Sequence, residues 1–124
     1  MKKLFVSLPM RGYSDEVIKA EMMQAKGFIE ATFNETFELI DTLTQESEPK
    51  DIKNNCWYLG RSIQLLAKAD LVVFHPSWKS APGCIVERII CNMYDIPIMD
   101  LLVKKPKSKN DISKEQNSHH LHLV

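Results

Sequence analysis

The stretch ADLVVFHPSWKSAPGCIVERIICNMYDIPIMDL, residues 69–101, decides the fold of this 124-residue chain. Two short apolar runs in it, residues 71–75 and 96–99, have the composition of strands that are buried on both faces. A turn-rich loop, residues 76–83, and a helical pattern lie between them. A strand, a loop, a helix and a strand of this length predict a right-handed βαβ crossover between parallel strands.

The helical pattern after this loop has an apolar face on which Ile85, Ile89 and Met93 recur at i, i+4 and i+8. We expect this face to pack against the sheet. Ligands of open parallel sheets bind beyond the carboxyl ends of the strands, so the loop at residues 76–83 is where we expect chemistry. Glu87, expected in the first turn of the helix, is the carboxylate best placed to take part.

The rest of the chain adds two strands and two helices. Residues 3–7 predict the first strand, and Ser14 is a good N-cap for a long helix after it. Residues 37–43 predict the second strand, and residues 46–53 a surface loop. The apolar faces of the two helices are Ile18, Met22, Ala25 and Ile29 in the first, and Ile52, Cys56, Leu59, Ile63 and Leu66 in the second.

This alternation indicates an α/β fold, a single doubly wound domain of the flavodoxin-like or Rossmann-like type. We expect a four- to five-stranded parallel sheet with strand order 2-1-3-4 in residues 1–103. Residues 104–124 are polar, and we expect them to form a mobile tail. In this strand order, the loops after the first and third strands face each other across the crevice where ligands bind.

Composition restricts the classes of partner. Sixteen lysines and arginines balance sixteen aspartates and glutamates, which favours a small-molecule ligand and no nucleic acid. No apolar run approaches the roughly 20 residues of a membrane span, and the N-terminus does not resemble a signal peptide, so we expect a cytoplasmic protein with no membrane partner. Cys56, Cys84 and Cys91 lack CxxC spacing, which disfavours disulfides and a zinc site.

Several ligand motifs common in this architecture are missing from the sequence. No GxGxxG follows the first strand, and neither a Walker lysine motif nor a GxSxG elbow is present. The remaining candidates for a functional role are Glu87, Arg11 and Trp78, and each could instead have a purely structural role. Glu87 could stabilise the helix dipole, Arg11 could be a solvated turn residue, and Trp78 could cover the edge of the sheet.

Three passages of the sequence are similar to those of a known protein family: SLPMRG after the first strand, WYLGRSIQLLAKADLVVF, and HPSWKSAPGCIVERIICNMYDIPI. Together they resemble the nucleoside 2-deoxyribosyltransferase-like superfamily, and in particular a small, poorly characterised branch of it in bacteria and phages. The superfamily also includes 2'-deoxynucleoside 5'-phosphate N-hydrolases. The resemblance covers roughly residues 3–101, and the Trp-x(4)-Gly-Cys-x(2)-Glu pattern is its most specific part.

The resemblance implies a reaction at a nucleoside or nucleotide. Glu87 would attack the anomeric carbon and release the base, and a second base or water would then take the sugar from the glycosyl ester. The resemblance implies no cofactor and no metal, and a homo-oligomer. It assigns the following residues to substrate binding: Ser7, Pro9, Met10, Arg11, Gly12, Ser62, His75, Ser77, Trp78 and Gly83.

Specific roles within that site follow from the same resemblance. Arg11 and Gly12 would line the sugar or its 5' end, and the fork of donors on Arg11 suits a phosphate. Trp78 would stack on the base, and Gly83 would let the backbone approach the ligand closely.

Two positions depart from the pattern of the family. Ser62 stands where characterised members carry an aspartate that handles protons or orients the sugar. Ala81 stands where they tend to carry a serine or an aspartate, although Ser77 or Ser80 could substitute. We therefore retain three hypotheses: an enzyme that acts through Glu87, a catalytically degenerate nucleotide-binding module, and an interaction module whose crevice is filled by side chains.

Overall fold

The computed structural model describes residues 1–43, 50 and 53–102. The tail at residues 104–124, Ile52 and most of the predicted surface loop lie outside the described residues. One turn of 3-10 helix, Trp78–Ser80, interrupts the loop before the last helix. The strands and α-helices of the described part are β1 (Lys2–Ser7), α1 (Asp15–Phe33), β2 (Phe37–Leu39), α2 (Asn54–Leu66), β3 (Leu71–Phe74), α3 (Pro82–Met93) and β4 (Ile98–Asp100).

The four strands of the described part form one parallel sheet with the order β2-β1-β3-β4. This order confirms the predicted doubly wound α/β fold. The register pairs Ser7 of β1 with Phe74 of β3, and Phe74 with Asp100 of β4. The carboxyl ends of these three strands therefore lie side by side, with the switch point of the fold between β1 and β3.

Helix α1 forms as predicted and covers one face of the sheet. It begins after Ser14, whose side-chain Oγ accepts a hydrogen bond from the Val17 N–H at 3.3 Å. It ends at Asn34, which adopts the left-handed conformation with φ of 53°. All four residues of the predicted face are buried against β1 and β3: Ile18, Met22, Ala25 and Ile29.

Helix α3 lies on the opposite face of the sheet. The side of the helix that faces the sheet is not the predicted one. The residues that it buries are Cys84, Glu87 and Cys91. The predicted packing of the apolar stripe against the sheet is therefore wrong. That stripe is exposed instead, to 38% at Ile85, 54% at Ile89 and 73% at Met93.

Two further features distinguish α3 from the prediction. Beneath the helix, Cys91 packs in one cluster with the rings of Phe5 and Phe74. The helix also begins at Pro82, which suits the first helical position. Glu87 is consequently in the second turn rather than the first, where the helix dipole acts less on it.

The remaining elements differ from the predictions in extent. In α2, Leu66 is buried, Leu59 and Ile63 are half-buried, and Cys56 is exposed. The second strand ends earlier than predicted, and β4 begins two residues later, at Ile98. Among the described residues, no helix is both long enough and apolar enough to cross a membrane.

The orientation of α3 can be tested by replacing one buried isoleucine of α1 and one exposed isoleucine of α3. Ile29→Ala, at a fully buried position, should lower the free energy of unfolding by about 2–5 kcal/mol, because it leaves a cavity in the core. Ile89→Ala, at an exposed position, should change it by no more than about 0.5 kcal/mol. Urea titration of both variants measures this. An equally large loss for Ile89→Ala would contradict the orientation of α3.

Candidate functional site

Glu87 is the one charged side chain that is buried among the described residues, with 5% of its surface exposed. The Ser7 hydroxyl donates a hydrogen bond to Glu87 Oε1 at 2.7 Å. The Ser62 hydroxyl donates to Glu87 Oε2 at 2.5 Å. Both carboxylate oxygens are therefore held by neutral donors rather than by a cation.

Three separate elements supply this cluster. Ser7 is the last residue of β1, and its side chain points to the α3 face because residues alternate along a strand. Ser62 lies on α2, and Glu87 lies on α3. The cluster thus joins the carboxyl end of a central strand to two helices, beside the switch point where ligands bind in this class of fold.

Burial governs the electrostatics of the cluster. It raises the pKa of Glu87 above its ordinary range, and the hydrogen bonds from Ser62 and Ser7 act in the opposite direction. Burial also raises the pKa of the Cys84 thiol to about 11, and that of Cys91 to about 11, with the nearby Glu87 adding to both effects. These thiols remain protonated near neutral pH, so they are poor nucleophiles there.

The arrangement suits Glu87 for attack on an electrophilic carbon. A carboxylate has about four lone-pair sites, so two hydroxyl donors leave acceptor capacity on each oxygen. The donors also fix the orientation of the group before reaction. No group of three or more potential metal ligands occurs among residues 1–43, 50 and 53–102.

A cavity lies on the other face of the sheet, at the same edge, and we call it the α1 cavity. Its volume is about 70 Å³, and it is partly open to solvent. This volume is below the range of typical small-molecule sites. The residues that line it are Leu8, Pro9, Tyr13, Val17, Ile18, Glu21, His75 and Ser77.

A carboxylate and an imidazole meet in the α1 cavity. His75 Nε2 lies 3.4 Å from Glu21 Oε2. The backbone N–H of Ser77 donates to His75 Nδ1 at 3.1 Å. Because Nδ1 accepts this hydrogen bond, the ring proton is on Nε2 and points toward Glu21.

Trp78 belongs to a packed cluster at the ends of β3 and β4. Its ring makes an edge contact with Phe74, and the Arg88 guanidinium lies 4.3 Å from its centroid. Arg88 in turn binds Asp100 through two hydrogen bonds of 2.6 and 3.2 Å. One face of the indole is therefore occupied by a cation that Asp100 holds in place.

The other residues assigned to substrate binding lie around these clusters. Met10 packs against the α1 core, and Arg11 is exposed beside it. Gly12 has φ of 86°, a conformation that favours glycine, so the turn requires it. Gly83 lies within α3, where an added Cβ would meet Leu59 Cδ1 at 3.7 Å, an ordinary contact.

The two positions that depart from the family pattern, Ser62 and Ala81, lie in different surroundings. Ser62 contacts Glu87 directly, as described above. Ala81 is the N-cap of α3 and makes no side-chain cap. Ser80, one of its proposed substitutes, donates its hydroxyl to the Ser77 carbonyl at 2.7 Å, and the other substitute, Ser77, lines the α1 cavity.

The structure thus brings six of the predicted residues together, in two groups rather than one. Ser7, Ser62 and Glu87 form the first group, and Pro9, His75 and Ser77 share the α1 cavity. Sequence reasoning missed Glu21 altogether. A signal for it existed, because this glutamate borders the buried face of α1 two turns from the end that faces the crevice.

Comparison with known proteins supports the fold. No protein-family model matches the chain, and no curated protein is significantly similar to it. The crystal structure of a conserved protein from Enterococcus faecalis V583 is similar, with a TM-score of 0.59 and 13% sequence identity. The match covers 97% of this chain and 75% of that chain. At this identity, the likeness is evidence for the fold alone.

The raised pKa of Glu87 predicts an effect on stability. A carboxyl whose pKa is higher in the folded state than in the unfolded state stabilises the fold at low pH and loses that contribution as the pH rises through the folded-state value. Glu87→Gln should therefore unfold at higher urea than the wild type at pH 7, and the difference should disappear below about pH 4. A tenfold difference in proton affinity corresponds to about 1.4 kcal/mol.

The matched control for this measurement is Glu38→Gln, at an exposed position on β2. It should show no such dependence on pH. A Glu87→Gln protein that is less stable than the wild type at pH 7 would mean that the ionised carboxylate is favourably solvated in the fold.

Proposed function

We propose that this chain cleaves or exchanges the N-glycosidic bond of a nucleoside or deoxynucleoside, or of its 5'-monophosphate, with Glu87 as the nucleophile. The observation that carries the proposal is the buried Glu87 carboxylate, which Ser7 and Ser62 orient at the carboxyl edge of the sheet. The sequence resemblance adds the class of substrate.

In the first step, a lone pair of Glu87 forms a bond to the anomeric carbon. The bond from that carbon to the base nitrogen breaks, and its electron pair leaves with the base, which takes a proton from solvent. The transition state resembles an oxocarbenium ion, so a carboxylate that few waters solvate can stabilise it strongly. The product is a glycosyl ester of Glu87.

In the second step, water or the nitrogen of a second base attacks the same carbon. The ester C–O bond breaks, its electron pair returns to Glu87, and the attacking group gives up a proton to solvent. The hydroxyls of Ser7 and Ser62 stabilise the carboxylate as it leaves, because they donate to its two oxygens. Attack by water makes the reaction a hydrolysis, and attack by a base makes it a transfer.

A second candidate function is binding of a nucleotide without turnover. Two observations favour it: Glu87 is only 5% exposed, and it is absent from the residues that line the α1 cavity. A ligand bound only in that cavity would not need Glu87. The two functions differ in whether a free base appears.

The decisive experiment incubates the protein with nucleosides and their 5'-monophosphates, with and without an acceptor base, and follows the free base by chromatography. We expect base release that Glu87→Gln lowers by at least about a thousandfold, since the nucleophile is removed. A preference for monophosphates would support a phosphate contact for Arg11. Binding of a nucleotide with no base release from any substrate would favour the second candidate.

Ser62 provides a finer test of the nucleophile. Ser62→Ala removes a hydrogen bond that lowers the pKa of Glu87, so this pKa should rise. Because the nucleophile must be ionised, the acid limb of the kcat/KM profile should move to higher pH. The control is Thr32→Ala, which removes an exposed hydroxyl that donates to the Phe28 carbonyl within α1 and should leave the profile in place. An unchanged profile in Ser62→Ala would argue against Glu87 as the titrating group.

A further inference from the structure

We infer that the outward side of α3, the side away from the sheet, is the interface at which two copies of this chain associate. The apolar stripe of Ile85, Ile89 and Met93 forms the centre of this surface. The sequence resemblance implies a homo-oligomer but assigns no surface to it. The inference does not depend on the reaction proposed for Glu87, which lies on the buried side of the same helix.

The outward side of α3 carries no charged side chain. Helix α3 contains two charged residues, Glu87 and Arg88. Glu87 is buried, and the Arg88 side chain is only 12% exposed and binds Asp100. The exposed residues of the helix are all uncharged: Pro82, Ile85, Ile89, Asn92 and Met93. A helix without a charged outward side is typical of one that further protein covers.

Helix α1 shows that the other face of the sheet is covered by a helix of the ordinary kind. Its exposed residues include Asp15, Glu16 and Lys19. Both helices bury one side against the sheet, so their outward sides can be compared directly. Helix α1 has the charged outward side of a helix that faces water, and α3 does not.

A second copy of α3 matches this surface in charge. Because the stripe is uncharged, a segment rich in charged side chains would lose hydration there without gaining ion pairs. This argues against the tail at residues 104–124, which carries five lysines. The whole chain has a formal net charge of zero, so two copies do not repel each other.

The spacing of the stripe suits a two-fold axis. Ile85 and Met93 lie four residues to either side of Ile89. Two antiparallel copies of α3 on such an axis place Ile89 against its own copy, and Ile85 against Met93 of the second copy. Rows of side chains four residues apart interdigitate when two helices cross at about −50°. The same surface therefore serves both copies, as a symmetric dimer requires.

The size of this contact predicts a reversible dimer. One helix from each copy makes a small interface, so we expect dissociation in about the micromolar range. Well below that concentration Ile89 is exposed, and the small effect of Ile89→Ala on unfolding given above applies to the monomer. Above it, the urea midpoint of the wild type should rise with protein concentration.

Sedimentation velocity of the full chain, at about 1 to 200 µM, tests the inference. We expect the wild type to change from monomer to dimer across this range. Ile89→Glu places two carboxylates together on the two-fold axis, so it should weaken association at least about tenfold. A wild type that stays monomeric at the highest concentration would overturn the inference. A dimer that Ile89→Glu does not weaken would also overturn it.

Two exposed methionines provide a matched control. Met93→Lys, in the stripe, should weaken association, whereas Met23→Lys, at a position of α1 that is 55% exposed, should leave it unchanged. An equal loss in both variants would place the contact elsewhere and overturn the inference. The urea midpoint of each variant at low protein concentration verifies that it is folded.

A mixture of two variants tests the antiparallel arrangement. Ile85→Glu and Met93→Lys should each associate with themselves more weakly than the wild type does. An equimolar mixture should form a tighter heterodimer, because the introduced carboxylate of one copy meets the introduced ammonium of the other. A mixture that associates no more tightly than either variant alone would overturn this arrangement.

Discussion

The burial of one carboxylate constrains the rest of this structure. Glu87 lies against the sheet between Ser7 and Ser62, and its two oxygens each accept a hydroxyl hydrogen bond. An ionised carboxylate without such partners would be very costly to bury. The end of β1 and the middle of α2 must therefore both meet α3 at this point. The orientation of α3 follows from that requirement, including the exposure of its apolar stripe.

The carboxyl edge of the sheet combines two chemically different environments. On the α3 face, hydroxyl donors hold a desolvated carboxylate. On the α1 face, Glu21 and His75 line a largely apolar cavity. Successive residues of one strand reach both environments because side chains alternate between the faces.

Local patterns in the sequence were sufficient to predict the types of the strands and α-helices and their order along the chain, although the bounds of β2 and β4 and the start of α3 differ. Short β-branched runs, the Ser14 cap and the periodicity of α1 each reflect interactions within a few residues of the chain. The resemblance also singled out Ser7, Ser62 and Glu87, which the fold brings into contact. It did not indicate that Ser7 and Ser62 bind opposite oxygens of the same carboxylate. These two contacts join residues that are 80 and 25 positions apart in the chain, so no local sequence pattern indicates them.

The sequence by itself therefore determined the α/β class and the parallel order of the sheet. Only the tertiary structure decided which face of α3 is buried, and that Glu21 joins His75 in the α1 cavity. The physical reason is that apolar periodicity indicates which side of a helix could be buried. It does not indicate which residues lie beneath that side in the folded protein. Beneath α3 lie two aromatic rings and two hydroxyl donors, which accommodate thiols and a carboxylate better than branched aliphatic side chains.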